Sequence, residues 1–308
     1  MSNTVVIVNP NSAGGQTRRR WPRIEASIRD AMGEFRHLFT ERPGHATELA
    51  RGALRDGADL VVAMGGDGTL NEVVNGFFDG DTVVRPGAAF GVLPAGTGGD
   101  FPKTINWPIH LGDAAKALAA ARPRPIDVGR LEYLDHDGTT KVRHFINVTS
   151  FGIGGLVDRY VNASSKSLGG KASFFLSTVR ASLAYKNARI RISLDDKPAE
   201  ERTIYSVAVA NGRFFGGGMK IAPDAATDDG MFDVVTIGNV GIGTMLLHSS
   251  KIYDGSHVKL PFVTVERARS VYAECENGEE VLLDVDGEQP GRLPARFQIL
   301  PAALHVMG

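Results

Sequence analysis

Three glycines and one carboxylate stand together in the stretch VVAMGGDGTLNEVVNG, residues 61–76. An apolar run, which predicts a buried strand, leads directly into the loop Gly65–Thr69, and a helical pattern follows at once. Backbone N–H groups at the start of a helix have no helical partner, and glycines let an anion approach them closely. The loop is therefore predicted to hold a phosphate group at the carboxyl end of a strand.

The carboxylate of this loop, Asp67, needs its own explanation because a negative charge repels phosphate. One explanation is a divalent cation, since Mg²⁺ is commonly held by one or two carboxylates together with phosphate oxygens. The other is structural: Asp67 forms an Asx-turn, and the glycines only make the loop tight. The residues of the loop alone do not separate the two.

Two further loops of small residues repeat this pattern. NPNSAGG (residues 9–15) follows the first apolar strand, and PAGTGGDF (residues 94–101) follows the fourth. Because the carboxyl ends of parallel strands meet at one edge of a sheet, the three loops are expected to converge. They contain no Walker A pattern, and Gly66-x-Gly68 continues to Asn71, so the dinucleotide fingerprint is also incomplete.

Carboxylates that could assist a reaction occur in two other places. LLDVDGEQPG (residues 282–291) contains Asp284 and Asp286, which would point the same way on a strand, and then Glu288. Asp-Gly is equally a frequent hairpin turn, beside which surface carboxylates are ordinary. The second group, Asp228-Asp229-Gly230, predicts first of all a turn before a strand.

The order of the elements predicts an α/β protein with two domains. Strands alternate with helices up to about residue 121, which indicates a mostly parallel sheet covered on both faces. After RPRPIDVG, the pattern becomes that of antiparallel strands, interrupted by one helical insert over about residues 171–185. We therefore predict an α/β domain over residues 1–124 and a β-rich, sandwich-like domain over residues 125–294, while residues 295–308 could close either one.

Composition narrows the partners and the compartment. The formal net charge of −1 gives no overall field that would select nucleic acid. The lone Cys275 cannot form an internal disulfide, and the N-terminus lacks the pattern of a signal peptide, so a cytoplasmic location is expected. The longest apolar runs are too short for a transmembrane helix.

One segment nevertheless suggests contact with a membrane surface. Between Asp158 and Asp195 all charged residues are basic, and the same stretch carries SFFLSTVRASLAY. A basic segment with apolar residues at helical spacing is typical of a helix that lies on a bilayer. The alternative is an ordinary packed helix with a solvated face.

The three loops, in their order and spacing, resemble the diacylglycerol kinase catalytic domain, a family that includes bacterial lipid kinases and sphingosine kinases. NVTSFGIGG, ANGRFFGGGMKIAPDA, TDDGMFDVV and DVDGEQP resemble the bacterial lipid kinase subgroup, so the likeness covers nearly the whole chain. It implies a kinase that uses ATP and Mg²⁺, binds the nucleotide between its two domains and phosphorylates a lipid, by default diacylglycerol, at a membrane surface. It also implies that residues 295–308 return to complete the first domain.

The resemblance assigns roles to individual residues. Asp286 would be the general base and Glu288 an assisting carboxylate. Asp229 would bind Mg²⁺ with its carboxylate, and Ala226 and Met231 with their carbonyls. The residues at the nucleotide would be Asn9, Ser12, Gly14, Thr40, Gly65, Gly66, Asp67, Gly68, Thr69, Asn71 and Thr97.

One departure from the family pattern keeps alternatives open. The family usually has asparagine where this chain has Gly99, which puts contacts to the substrate in doubt. The alternatives are a kinase of a soluble metabolite, of the NAD kinase type, which shares the glycine loop, and a nucleotide- or lipid-binding sensor without catalysis. The sequence also leaves open whether the chain forms a homodimer.

Overall fold

The computed structural model describes residues 3–95, 99–155, 186–276 and 278–308, in which strands first alternate with helices and then dominate. The first part comprises β1 Thr4–Val8, α1 Ser12–Met32, β2 Arg36–Phe39, α2 His45–Arg55, β3 Leu60–Gly65, α3 Asp67–Gly76, β4 Phe78–Asp79, β5 Thr82–Val83, β6 Ala89–Pro94, α4 Asp100–Thr104 and α5 Leu111–Ala120. The second part comprises β7 Pro123–Asp135, β8 Thr140–Phe145, β9 Val148–Gly152, β10 Ala188–Leu194, β11 Glu200–Ile204, β12 Ser206–Ala210, β13 Phe232–Ile237, α6 Ile242–His248, α7 Ser250–Asp254, β14 Val263–Ala268, β15 Ser270–Cys275, β16 Leu283–Val285 and β17 Gly291–Met307.

The first part is built on a parallel sheet in the order β2-β1-β3-β6. All residues of β1 and β3 are buried, as expected for strands that helices cover on both faces, and this explains their continuous apolar runs. The predicted parallel sheet is confirmed. Its carboxyl edge carries the loops that follow β1, β3 and β6.

Helix α3 starts at this edge and is fixed there by close packing against α2. A Cβ atom on Gly76 would lie 2.4 Å from the Cβ of Ala50, so only glycine allows the two helices to approach this closely. Because α3 begins two residues after β3 ends, its first turn is held at the carboxyl edge of the sheet.

The second part is a sandwich of antiparallel strands, which confirms the predicted fold class. A five-stranded sheet in the order β14-β13-β12-β9-β16 packs against β7, β8, β10, β15 and β17. The layer between them contains stacked aromatic pairs, Phe145 with Phe232 at 5.6 Å and Phe151 with Phe297 at 5.9 Å between ring centroids. The alternating apolar residues of these strands face this core.

Two long strands connect the parallel sheet to the sandwich. β17 pairs with β15 and β7 in antiparallel fashion, and near its end His305 and Val306 pair with β6 in parallel. β7 follows β17 over most of its length. The parallel strands therefore continue into one sheet of ten strands, and this continuity sets the loops of the first part against the β16 hairpin of the second.

Candidate active site

The loops after β1, β2, β3 and β6 meet at the carboxyl edge of the parallel sheet. Backbone bonds connect them: the Asn9 N–H donates to the Met64 carbonyl (2.9 Å), Thr40 donates to Val8 (2.9 Å), and Ala95 donates to Gly65 (3.0 Å). The edge therefore gathers residues that the sequence placed at a nucleotide, as predicted from the strand order.

The glycine loop is packed tightly against the loop after β1. A Cβ atom on Gly65 would lie 2.5 Å from the Oγ1 atom of Thr69, so the start of α3 folds directly over the end of β3. The Thr69 hydroxyl accepts a bond from Asn9 Nδ2 (3.0 Å), and the Ser12 hydroxyl donates to the Asn9 carbonyl (2.8 Å). These side chains join the two loops into one concave backbone surface.

Residues 13–15 interrupt the helical pattern after Ser12. Ala13, Gly14 and Gly15 all have left-handed backbone conformations, with φ of 52°, 67° and 80°. Regular helical geometry in α1 starts only after these three residues. Successive left-handed or mixed-handed residues of this kind can form an anion-binding concavity, although the Gly15 N–H is already bonded to the Asn11 carbonyl (3.0 Å).

Asp67 binds the loop after β6, a role that neither sequence explanation had foreseen. Its carboxylate accepts bonds from the N–H groups of Gly99 (2.9 Å), Asp100 (3.2 Å) and Phe101 (3.4 Å), and so caps the first turn of α4. Burial raises the pKa of the Asp67 carboxyl, although the Gly99 N–H opposes this rise and Asp100 adds to it. Asp67 thus fixes the spacing between the second and third glycine-rich loops.

Gly99, the departure from the family pattern, has φ of 133°, which side-chain-bearing residues rarely adopt. In this conformation its N–H points at the Asp67 carboxylate. An asparagine at this position would be strained in the present loop geometry, so the backbone here is adapted to glycine. Thr97, which the resemblance placed at the nucleotide, lies outside the described residues.

Asp286 lies in the turn of a hairpin that reaches from the sandwich to α3. Asp286 and Gly287 have φ of 48° and 86°, and Val285 and Glu288 exchange backbone bonds of 2.8 and 3.0 Å, as in a two-residue type I′ turn. The Asp286 carboxylate accepts a bond from Asn71 Nδ2 (2.7 Å) and one from the Val148 N–H (3.1 Å). It therefore sits where α3 meets β9.

The environment of Asp286 suits a proton acceptor that works near neutral pH. Asp286 is partly exposed as a residue, but burial of its carboxyl raises the pKa to about 7. Bonds from Asn71 and Val148 and the charge of Arg143 oppose this rise, whereas the negative charge of Asp67 reinforces it. A pKa near the working pH is what general base catalysis requires.

Glu288 faces the first turn of α3 from the other side of the cleft. A Cβ atom on Gly68 would lie 3.1 Å from Glu288 Oε1, so this carboxylate borders the predicted phosphate site. Its second oxygen accepts a bond from Arg143. By contrast, Asp284 is buried, accepts bonds from the Gly287 N–H (2.9 Å) and the Ser150 hydroxyl (3.3 Å), and supports the turn.

Two polar residues that complete this junction, Asn75 and Arg143, were missed from sequence, whereas Asn71 was placed at the nucleotide and its side chain is here buried against protein groups. Asn71 and Asn75, one helical turn apart on α3, both donate to the His144 carbonyl (3.1 and 2.9 Å). Their i, i+4 spacing on one face was a signal that could have been used. Arg143 contacts Asn71 and Glu288, but its alternating strand VRHFIN gives no such signal.

A second bridge joins α4 to the sandwich. Asp100 accepts a bond from the Gly217 N–H (2.7 Å), and Thr104 donates to Asn147 (2.9 Å) while accepting from the Arg213 N–H (3.1 Å). The loop after β12 is thereby anchored beside the third glycine-rich loop. The cleft is closed on this side by contacts between the two parts of the chain.

The predicted metal loop has a different environment. The Asp229 carboxylate pairs with Arg267 and accepts the Met231 N–H (3.1 Å). A cation bound with the carbonyls of Ala226 and Met231 would have to compete with the Arg267 guanidinium for this carboxylate. Over the described residues, no three His, Cys, Asp or Glu side chains converge on a point that could hold a metal. The Mg²⁺ site at this loop stays a prediction.

The predicted membrane segment is largely outside the described residues, including the helical insert over residues 171–185. Its last basic residues are described, and Arg189 and Arg191 lie on strand β10. Among the helices that the structure describes, none has both the length and the apolarity that a transmembrane helix needs.

Comparison with known proteins places both parts of the chain. Residues 3–131 match the model of the diacylglycerol kinase catalytic domain, and residues 147–308 match that of the YegS C-terminal NAD kinase beta sandwich-like domain. A diacylglycerol kinase of Staphylococcus haemolyticus is 29% identical over 302 residues, which cover 98% of this chain and 86% of that protein.

Solved structures show the same architecture. A crystal structure from Bacillus anthracis str. Sterne, described as a candidate diacylglycerol kinase, is 26% identical with a TM-score of 0.77, covering 99% of this chain and 96% of that one. Yeast NADH kinase in complex with NADH reaches a TM-score of 0.55 at 13% identity, over 100% of this chain and 83% of its own, and shows likeness of fold alone.

Proposed function

The chain belongs to the bacterial lipid kinase family that joins a diacylglycerol kinase catalytic domain to a YegS-type C-terminal domain, and we propose that it transfers the γ-phosphate of ATP to the hydroxyl of a diacylglycerol-like lipid. The observation that carries the proposal is the junction at Asp286. There, a carboxylate with a pKa near 7 is held by Asn71 of α3, one turn from a glycine loop suited to phosphate.

The transfer follows from the positions of these residues. Within the glycine loop, N–H groups at the start of α3, from Gly66 to Thr69, would bind the phosphates of ATP together with the loop after β1, and Thr40 lies at the same edge. Asp286 takes the proton of the lipid hydroxyl while the oxygen of that hydroxyl forms a bond to the γ-phosphorus. The bond between the γ-phosphorus and the oxygen that bridges it to the β-phosphate breaks, and ADP leaves. Asp286 then releases the proton to solvent. Mg²⁺, if bound with ATP, would neutralise charge at the phosphates.

Labelled phosphate transfer tests this function directly. The protein is incubated with γ-labelled ATP and vesicles of a mixed lipid extract, with Mg²⁺ or with a chelator, and the lipids are then separated. We expect one labelled lipid that depends on Mg²⁺ and comigrates with phosphatidic acid. A parallel reaction contains NAD in place of the vesicles, and label on NAD there would favour a soluble-metabolite kinase. ATP binding without any labelled acceptor in either reaction would favour a sensor.

We further propose that the protein works at a membrane surface, with α6 and α7 in contact with lipid. Leu246, Leu247 and Tyr253 are 54%, 77% and 56% exposed, and residues 234–253 contain no acidic side chain. This segment lies close to the cleft, because the Ile252 carbonyl accepts a bond (2.8 Å) from the loop that also contacts α4. Asp254, at the end of α7, is the first acidic side chain after this stretch and accepts the Ser256 N–H (2.7 Å). Exposed aliphatic and aromatic side chains such as these suit insertion between headgroups.

Replacing both Leu246 and Leu247 by serine is expected to lower binding to anionic vesicles at least about tenfold, because each buried leucine contributes about 1.5–3 kcal/mol. Cosedimentation with vesicles measures it. Ile109→Ser is the matched control, since Ile109 is 55% exposed but precedes α5 in the first part of the chain. Unchanged vesicle binding by the double variant would contradict the assignment of this surface to lipid. So would a double variant that binds vesicles normally but no longer forms a homodimer.

A further inference from the structure

Arg143, on strand β8, connects the two sides of the cleft. Its guanidinium donates to Asn71 Oδ1 through Nε (2.9 Å) and Nη2 (2.6 Å), and Nη2 also pairs with Glu288. The side chain is only 17% exposed, so it is held in place by the protein around it. Arg143 thus contacts both α3, through Asn71, and the hairpin that carries Asp286, through Glu288.

Arg143 helps to determine which way the Asn71 amide points, together with Asn75, whose Nδ2 also donates to Asn71 Oδ1 (3.1 Å). A guanidinium can only donate hydrogen bonds, whereas an amide has one accepting and one donating end. Arg143 therefore requires Oδ1 on its side and leaves Nδ2 to donate to the Asp286 carboxylate (2.7 Å) and the His144 carbonyl (3.1 Å). With the amide reversed, donors would face Arg143 and an oxygen would face the carboxylate, which is unfavourable at both ends.

The contact with Glu288 acts on the second carboxylate of the cleft. Glu288 borders Gly68, where the first turn of α3 offers N–H groups to a phosphate. A free carboxylate at this point would repel ATP, and its flexible side chain would take several rotamers. Pairing with Arg143 offsets the charge and fixes the position.

We propose that Arg143 is a positioning residue for phosphoryl transfer, which orients the Asn71 amide toward Asp286 and holds Glu288 beside the phosphate site. The proposal rests on the proposed function for its effect on turnover. It goes beyond the general base and the glycine loop, because Arg143 itself acts through Asn71 and Glu288.

The charges around Asp286 give the expected sign of a pH effect. Asp67 at the start of α3 raises the pKa of Asp286, while Arg143 on β8, the Asn71 amide and the Val148 N–H lower it. Asp284 and Glu288 flank it on the same hairpin. Removing Arg143 removes a cation and the orientation of a hydrogen-bond donor, so the pKa of Asp286 is expected to rise.

Arg143→Gln is expected to lower kcat about 10²-fold, with KM for ATP changed much less. A shift of a catalytic group by about 1 Å has an effect of this size on the rate. The ascending limb of the pH–rate profile should move to higher pH. Arg143→Lys keeps the charge but cannot contact both partners. It should therefore return the ascending limb of the pH–rate profile toward its original pH while recovering little of kcat. Arg202→Gln, which removes a similarly buried arginine of β11 that pairs with Glu200 and Glu266, is the control and should change neither.

Titration of the Asp286 carboxyl by carbon NMR of labelled aspartate, assigned with Asp286→Asn, gives a readout that needs no acceptor. A higher pKa in Arg143→Gln than in the unaltered protein supports the proposal, even if the lipid assay finds no acceptor and the proposed function fails. An unchanged carboxyl titration overturns it. Loss of rate with an unmoved pH limb and a lowered unfolding midpoint would likewise show that Arg143 only stabilises the fold.

Discussion

Asp286→Asn is expected to lower kcat for phosphoryl transfer by about 10²–10⁴-fold, the range that a general base contributes. An amide has nearly the same shape as a carboxylate, but it cannot take the proton of the acceptor hydroxyl. Asparagine also tolerates the left-handed conformation that this turn needs at φ of 48°, so the hairpin should be retained. Initial rates at saturating ATP and lipid measure the loss.

The same variant gives a prediction for pH. In the unaltered protein, kcat/KM should rise as Asp286 loses its proton, with an inflection near its pKa of about 7, and Asp286→Asn should lack this inflection. The raised pKa also means that ionised Asp286 opposes folding. Stability from this group is complete below the ordinary aspartate pKa and is lost as the pH rises toward 7, so at alkaline pH the variant should unfold no more easily than the unaltered protein.

Asp195→Asn provides a matched control for this experiment. Asp195 also has a left-handed backbone, with φ of 53°, and its carboxylate accepts N–H bonds from Arg269 and Ser270 at 2.8 Å, far from the cleft. It should leave kcat unchanged. A near-normal rate for Asp286→Asn would exclude Asp286 as the base. A large loss in the control would show that an Asp→Asn change at a left-handed position disturbs the fold, so that the loss in Asp286→Asn could not be assigned to the proton.

The elements with local signals could be predicted from the sequence. The continuous apolar runs of β1 and β3 indicated buried parallel strands, and the glycines that follow them indicated loops at one edge. The Asp286-Gly287 pair indicated a hairpin turn, and the structure contains that turn. Asp286 is therefore both a turn residue and a residue of the cleft, although the sequence had presented these as alternative explanations.

Contacts between distant segments could not be predicted in this way. Asp67 lies more than thirty residues before the N–H groups that it binds, so its loop offered only a metal or its own turn as explanations. Arg143 lies on a strand whose pattern looks like that of any half-exposed β-hairpin. The last strand, β17, could have closed either domain, and it is long enough to pair with strands of both.

Asp67→Ala is expected to lower kcat/KM for ATP by about 10²-fold, because the loop after β6 loses the group that positions it against the glycine loop. Three N–H groups, those of Gly99, Asp100 and Phe101, would lose their acceptor. Loss of a helix cap of this kind costs about 0.5–2 kcal/mol of stability. Hydrogen exchange at the three amides, together with ATP-dependent rates, measures both effects.

The exchange measurement also distinguishes the two ways in which Asp67 can support activity, as a helix cap or as a ligand of a cation. If Asp67 acts as a cap, exchange at Gly99, Asp100 and Phe101 rises in Asp67→Ala even without Mg²⁺, because the contact joins protein groups directly. If Asp67 acts only through a cation, exchange without Mg²⁺ stays unchanged, and excess Mg²⁺ or Mn²⁺ restores part of the rate. Asp113→Ala, which removes an exposed carboxylate from the first turn of α5, is the control. It should alter neither the exchange at α4 nor the rate, since a first-turn charge without bonds to a second loop affects only its own helix.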